Sequence, residues 1–362
     1  MRKGVFTFAA VGLVASVGLT ACSQPAEPGG DNERPKVGVI LPDSASSVRW
    51  ETADRPYLEA AFDAADIDYE IVNAQGSSEQ FLTLTDQLIT GGIDILMIVN
   101  LDSGSGAAAL QRARDAGIRT IDYDRLTLSG GADYHVSFDN VEVGRLQGQG
   151  LVQCLEEAGV ANPRIAYLNG SPTDNNATLF REGYNEVMQD KFAEGWTFVD
   201  ERSVPNWDGT EAVTLFEQML TAANGGIDGV VTANDTLGNS AITVLKGQGL
   251  NGQVPVTGQD ATVVGLQNIL TGDQCMTVYK AIEQEANSAA DLAIALANGE
   301  TPSGLTTVRD TEANVDVPSK LEVPQAIFLD NIQDVIDDGY VTVEDLCTAD
   351  FAALCEQAGI TS

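Results

Sequence analysis

Asn100, Asp124, Asn234, Asp235 and Asp260 each close or follow an apolar run, and Arg55 and Arg181 stand in polar stretches at the start of helical patterns. Trp50 and Trp207 lie in the irregular loops SSVRWETADR and VPNWDGT. A carboxylate only accepts hydrogen bonds, a guanidinium only donates them through a planar fork, and an amide does both. Aspartate and arginine together therefore grip adjacent hydroxyls and fix their orientation, which one donor alone cannot do. An indole plate covers the C–H face of a ring while polar groups take its rim. The expected chemistry is recognition of a neutral polyol without bond making. Asp124 and Asp260 could instead serve as a glycosidase pair, but Arg125 beside Asp124 keeps that carboxyl ionised and spoils it as an acid. His135 is the single histidine and is expected near a crossing between lobes, satisfying backbone groups.

The elements that would position these residues alternate. KVGVILP is an apolar β-rich run, Pro56 suits the first turn of a helix over YLEAAFDAA, and strand YEIVNA follows. Ser77 and Gln80 then open a helix as a capping box, with Phe81, Leu84 and Leu88 on one face. Gly91-Gly92 stop it, and IDILMIVN reads as a strand buried on both faces. The same order recurs. A helix, Gly-Gly-Ile-Asp and a strand end at Asn100 in the first half and at Asn234-Asp235 in the second; a helix, a glycine, a strand and an aspartate follow, ending at Asp124 and Asp260. Each half opens on proline, a basic residue and a strand (PKVGVIL, PRIAYLN). The repeat predicts an α/β chain of two similar Rossmann-like lobes, each a parallel sheet with helices on both faces. Ligands of such sheets sit beyond the carboxyl ends of the strands, where the polar residues fall. Gly247-x-Gly249-x-x-Gly252 follows a helix and precedes a strand, the wrong order for a dinucleotide fingerprint. No P-loop, GxSxG, HExxH, CxxC or EF-hand pattern occurs, so neither cofactor nor metal is expected.

Arg2 and Lys3, an apolar run from Val5 to Leu19, and Leu19-Thr20-Ala21-Cys22 form the pattern of a lipoprotein signal peptide over residues 1–21, with Cys22 acylated. Residues 22–35 read as a flexible tether. The chain carries 53 Asp and Glu against 19 Lys and Arg, net −34, which repels nucleic acid and anionic membranes and suits a neutral or cationic ligand. Cys154, Cys275, Cys347 and Cys355 remain, an even number in an exported chain, so disulfides are expected. Three pairings are possible. A straight helix between Cys347 and Cys355 would rise about 12 Å, too far for a bridge, which favours pairing each with Cys154 or Cys275.

VRWETADR, YDRL at 123–126, SFDN at 137–140, GSPTDNNATLFREG at 170–183, TAND at 232–235, GQDA at 258–261 and MTVYKAI at 276–282 resemble the type I periplasmic binding proteins of the ribose/galactose group, above all the D-xylose-binding and multiple-sugar receptors of ABC importers. The resemblance runs from about Lys36 to Val335. It implies a ligand cage of Arg49, Trp50, Asp124, Arg125, Asn176, Arg181, Trp207, Asn234, Asp235, Asp260 and Lys280, with Asn100 and Asn140 as neighbours. Asn100 agrees with the ribose receptors, whereas a xylose receptor has an apolar residue there. The implied architecture is a clamshell on a three-strand hinge, with crossings near Ser137, Val278 and Val317. The lobes would be 36–136 plus about 281–316, and 137–280 plus about 317–362. The implied function is a non-enzymatic, monomeric lipoprotein on the outside of the cell membrane, delivering a pentose such as D-xylose to ABC permease subunits. Presentation of the sugar to a membrane sensor is the alternative. The acidic tail from Asp337 has no counterpart in the family.

Overall fold

The computed structural model describes residues 34–361 and, before them, only Thr7. The signal peptide, Cys22 and the tether up to Glu33 lie outside the described residues. No helix among the described residues is long and apolar enough to cross a membrane.

Among the described residues twelve strands carry the fold: β1 Lys36–Leu41, β2 Asp68–Asn73, β3 Ile95–Ile98, β4 Arg119–Tyr123, β5 Tyr134–Phe138, β6 Arg164–Asn169, β7 Thr197–Ser203, β8 Gly229–Thr232, β9 Thr277–Tyr279, β10 Thr306–Asp310, β11 Val315–Glu322 and β12 Gln325–Ile327. The first lobe holds a seven-stranded sheet in the order β10-β11-β5-β4-β3-β1-β2. All its pairs are parallel except β10 with β11. The apolar runs are continuous because both faces are covered. Val37, Val39, Leu41, Ile95 and Met97 meet Leu58 and Phe62 of helix Arg55–Ala64 and the alanines of helix Ile282–Ala297. Ile40, Leu96 and Ile98 meet Phe81 and Leu88 of helix Ser78–Thr90 and Leu110 of helix Ser103–Asp115. The Ser77 hydroxyl accepts from Gln80 N–H at 3.2 Å, the expected cap.

The second lobe repeats the plan. β7-β6-β8 form a parallel sheet, a Val230–Val256 bridge extends it, and Val278 N–H to Gly258 C=O at 3.1 Å joins it to the β9-β12 ribbon. The repeated Gly-Gly-Ile-Asp has the same task in both lobes. Asp94 accepts the amide of Lys36 at 2.9 Å, and Asp228 accepts that of Arg164 at 2.9 Å. Each carboxylate thereby ties the start of its lobe's first strand to the strand beside it.

The chain passes between sheets at Phe138–Asn140, at Tyr279–Ile282 and at Glu322–Gln325. The first two follow expectation. The third corrects the crossing placed near Val317, because β11 stays paired with β5 from Ser319 opposite His135 to Glu322 opposite Phe138. The disulfides also correct the sequence reading: Cys154 bonds Cys275, and Cys347 bonds Cys355. The assumed straight helix does not form. Helix Val343–Leu346 stops at Cys347 and helix Ala352–Gln357 starts five residues later, leaving the two Cα atoms 5.9 Å apart.

Candidate ligand-binding cleft

Two loops at corresponding points of the lobes hold the central carboxylates. Asp124 follows β4, and Asp260 follows the Val254–Gly258 stretch. Both have positive φ, 61° and 99°. The Asp124 amide donates to Val136 C=O at 2.7 Å and the Asp260 amide to Val278 C=O at 2.9 Å, so each loop is pinned to the next strand. A fully buried carboxyl lies beneath each loop. Asp122 accepts from Thr127 N–H and Oγ1, both at 2.7 Å. Asp235 accepts from Thr262 N–H at 2.8 Å, Gln274 Nε2 at 2.8 Å and Thr277 Oγ1 at 2.8 Å. Burial pushes both carboxyls up to about 7 against these hydrogen bonds.

Arg49 is the centre of the first lobe's half. Its buried guanidinium contacts Asp54 at 2.8 Å, Glu285 at 2.9 Å and Asp124 at 3.1 Å, and Tyr123 donates to Asp54 at 2.7 Å. Burial opposes the charge on Arg49, but the three carboxylates outweigh it and hold the pKa well above the ordinary value. Burial likewise raises Asp124, yet Lys280, Arg49 and Arg125 pull it well below the usual carboxylate range. Burial and the Asp124 charge push Glu285 well up. Burial lowers His135 to about 4; its Nε2 lies 3.4 Å from Asp124 C=O, the backbone role expected of it.

Side chains meet across the cleft. Arg125 pairs with Asp174 at 2.9 Å. Lys280 Nζ lies 3.6 Å from both Asp124 and Asp260. Asn176 donates to Asp124 at 2.9 Å, and Ser47 to Asp260 at 3.3 Å. Each tryptophan closes one side. Trp50 carries the Arg49 guanidinium 4.3 Å and that of Arg125 5.4 Å from its ring centre. Trp207 donates Nε1–H to Asp174 at 3.1 Å, and its backbone φ is 57°, a region a bulky residue enters at a cost of about 1–3 kcal/mol. Its ring lies directly on Gly170, where any Cβ would collide with it.

These groups surround a cavity of about 30 Å³. Nine of the expected residues line it: Arg49, Trp50, Asp124, Arg125, Asn176, Trp207, Asn234, Asp260 and Lys280. Four do not. Arg181 lies on the outer surface, 44% exposed and paired with Glu201 at 2.7 Å. Asp235 points into the second lobe, under the Asp260 loop. Asn100 stays behind the Arg125 loop, donating to Arg125 C=O at 3.0 Å and Thr127 Oγ1 at 2.9 Å. Asn140 donates to Ser137 Oγ at 3.1 Å and Asn176 Oδ1 at 3.0 Å, holding Asn176 in place. Sequence reasoning missed Ser46, Ser47, Asp174, Phe180 and Gln259, which also line the cavity. Phe180 was accessible from helix phase, four residues after Asn176 on helix Asn175–Ala193.

The family model described as a periplasmic binding protein domain matches residues 37–301. The D-xylose-binding periplasmic protein of Escherichia coli K12 is 34% identical over 307 residues, 84% of this chain and 90% of its own length. The multiple sugar-binding periplasmic receptor of Rhizobium radiobacter is 31% identical over 326 residues, 86% of this chain and 92% of its own. A carbohydrate transporter solute-binding protein of Chloroflexus aurantiacus, solved in complex with D-glucose, superposes with a TM-score of 0.77 at 31% identity, covering 85% of this chain and 97% of that one.

Proposed function

Since the chain belongs to the type I periplasmic sugar-binding proteins, we propose that it captures a pentose such as D-xylose outside the cell for an ABC-type importer, tethered to the membrane by a lipid on Cys22. The observation that carries this reading is a cavity in which Arg49, Asp124 and Trp50 of one lobe face Asp174, Asp260, Lys280 and Trp207 of the other. The cavity has little spare room, because the cross-cleft pairs fill it. An entering sugar exchanges Arg125–Asp174 and Lys280–Asp124 contacts for its own hydroxyls. Each hydroxyl can accept from a cation and donate to a carboxylate at once, so a ring with hydroxyls on successive carbons satisfies both lobes and stabilises their closure. Asp124, held ionised, acts as an acceptor, which suits binding and not proton donation.

A monosaccharide panel read by thermal shift and calorimetry tests the reading. D-xylose raises Tm, and a deoxy analogue binds about ten-fold worse or more, because a buried charged group then loses its partner. If no aldose in the panel shifts Tm or gives heat of binding, the reading is wrong.

A further inference from the structure

The segment from Leu329, whose acidic part from Asp337 has no counterpart in the family the sequence resembles, is built onto the second lobe and reaches the first. Ile332, Val335 and Leu346 pack on Leu266, Ile269 and Leu270 of helix Val263–Thr271. Gln267 Nε2 donates to Leu346 C=O at 3.1 Å. Cys347–Cys355 closes the tail on itself, and Gln333 ties its end through two hydrogen bonds to Thr361, at 2.9 and 3.1 Å. The segment therefore moves with the second lobe.

One side chain packs both on that platform and beyond it. Tyr340 packs into the small cluster of Ala53, Phe138 and Ile282 beside Tyr57. Its ring centre is 5.3 Å from that of Tyr279, whose hydroxyl donates to Asp338. The placement matters because of what these residues are. Phe138 ends β5 at the first passage between sheets, and Ile282 opens its helix at the second. Ala53 belongs to the turn Trp50–Asp54, which directly follows Arg49. Phe138 also lies with its ring centre 5.7 Å from Lys280 Nζ in the cleft. A residue anchored on one lobe thus packs against a cluster drawn from two hinge passages and the other lobe, one member of which neighbours the cleft lysine.

We propose that the C-terminal segment Leu329–Thr361 is a brace across the hinge, and that Tyr340 is a positioning residue that favours the closed cleft. Rotation about the passages slides Ala53 and Tyr57 past Tyr279, so Tyr340 cannot keep all of these contacts when the lobes part. Contacts present in one state and absent in the other bias the equilibrium toward the first. The disulfide keeps the platform stiff enough for Tyr340 to act. This inference rests on the sugar-binding reading for its effect on affinity but not for its effect on shape.

The test compares the full chain with Tyr340→Ala, the milder Tyr340→Leu, and the double variant Cys347→Ser/Cys355→Ser. Small-angle scattering of the sugar-free proteins reads the lobe opening, and D-xylose titration with stopped-flow dissociation reads closure. Tyr340→Ala is expected to enlarge the radius of gyration or to weaken affinity about ten-fold through faster dissociation. Tyr340→Leu and the cysteine variant move the same readings less. Tyr340→Phe keeps the ring and behaves as the parent. A lowered Tm with both readings unchanged in Tyr340→Ala and Tyr340→Leu would reduce the tail to a structural cap and overturn the proposal. Should the parent bind no sugar, the proposed function fails by itself, and scattering alone decides the brace.

Discussion

The two halves of the cleft share one backbone device and differ in what surrounds it. In each, an aspartate of positive φ donates its amide to the neighbouring strand, above a buried carboxyl that clamps a threonine of the loop. Asp124 is in addition gripped by Arg49, itself shared with Asp54 and Glu285. Among the described residues Asp260 has no such arginine: its contacts are Lys280, Ser47 and Gln259. The first half is an ion cluster, already charge-paired before any ligand arrives. The second half is held mainly by neutral hydrogen bonds. A site of this kind separates rigidity from adaptability. One half fixes the position of its acceptor through an arginine, while the other holds its acceptor through a shared lysine and neutral donors.

The strongest way to break the comparison is to remove its centre. Arg49→Met leaves Asp54, Asp124 and Glu285 buried together without their cation. Stripping one partner from a buried ion cluster costs about 3–5 kcal/mol, and denaturant unfolding should register that loss along with abolished sugar binding. A cost below about 1 kcal/mol would mean the first half is not organised by charge. Next in size are the two pocket aspartates. Asp124→Asn takes a carboxylate from both Arg49 and Lys280 at once, so its affinity for D-xylose should fall about a hundred-fold. Asp260→Asn frees only a shared lysine and should cost nearer ten-fold. Calorimetry giving equal losses, or the reverse order, would erase the distinction between the halves.

Much of this arrangement was legible in the residues, and the failures have local causes. The alternation of strands and helices and the paired aspartates followed from the repeat, because the same local sequence makes the same turn twice. Arg181 was misplaced by helix phase. Phe180 faces the cavity, and the next residue on a helix turns by about 100°, which carries Arg181 out to Glu201 on β7. Asp235 was misplaced by its neighbour: Asn234 caps helix Asp235–Gln248 at the cavity, while the following side chain turns inward. Neither Asp174 nor the tail could be read from pattern alone. Asp174 reads locally as a helix cap, and its pairing with Arg125 of the other lobe cannot be seen in sequence; the Cys347–Cys355 bridge depends on a helix break that eight residues of mixed composition do not announce.

In pH response the buried carboxyls beneath the two halves are alike, and Asp235 is the test case. The folded pKa of Asp235 is raised to about 7, so the folded chain holds a proton that the unfolded chain has released above pH 4. Its contribution to stability is fully present below the unfolded pKa and is lost as pH rises from about 4 to 7, at up to about 1.4 kcal/mol per pH unit. His135 acts in the opposite sense. Its folded pKa of about 4 makes its contribution present above about 6.5 and lost as pH falls toward 4. Asp235→Asn should therefore flatten the decline in unfolding free energy between pH 5 and 7, and His135→Asn should steepen it. Unchanged slopes in both variants would show that neither group changes its proton on unfolding.

The smallest expected effect separates the cleft from the surface beside it. Arg181 sits one residue from a cavity-lining phenylalanine, yet its guanidinium is 44% exposed and bound to Glu201. An exposed ion pair is worth about 0–1 kcal/mol, since water screens it and two long side chains must be held still. Arg181→Ala should shift stability by no more than that and leave D-xylose affinity within about two-fold of the parent. The resemblance to sugar receptors placed both Arg125 and Arg181 in the cage; the geometry keeps Arg125 there, paired with Asp174 across the cleft, and leaves Arg181 outside. Arg125→Ala should then carry the large affinity loss that Arg181→Ala lacks, and titrating both variants side by side decides which arginine the sugar meets.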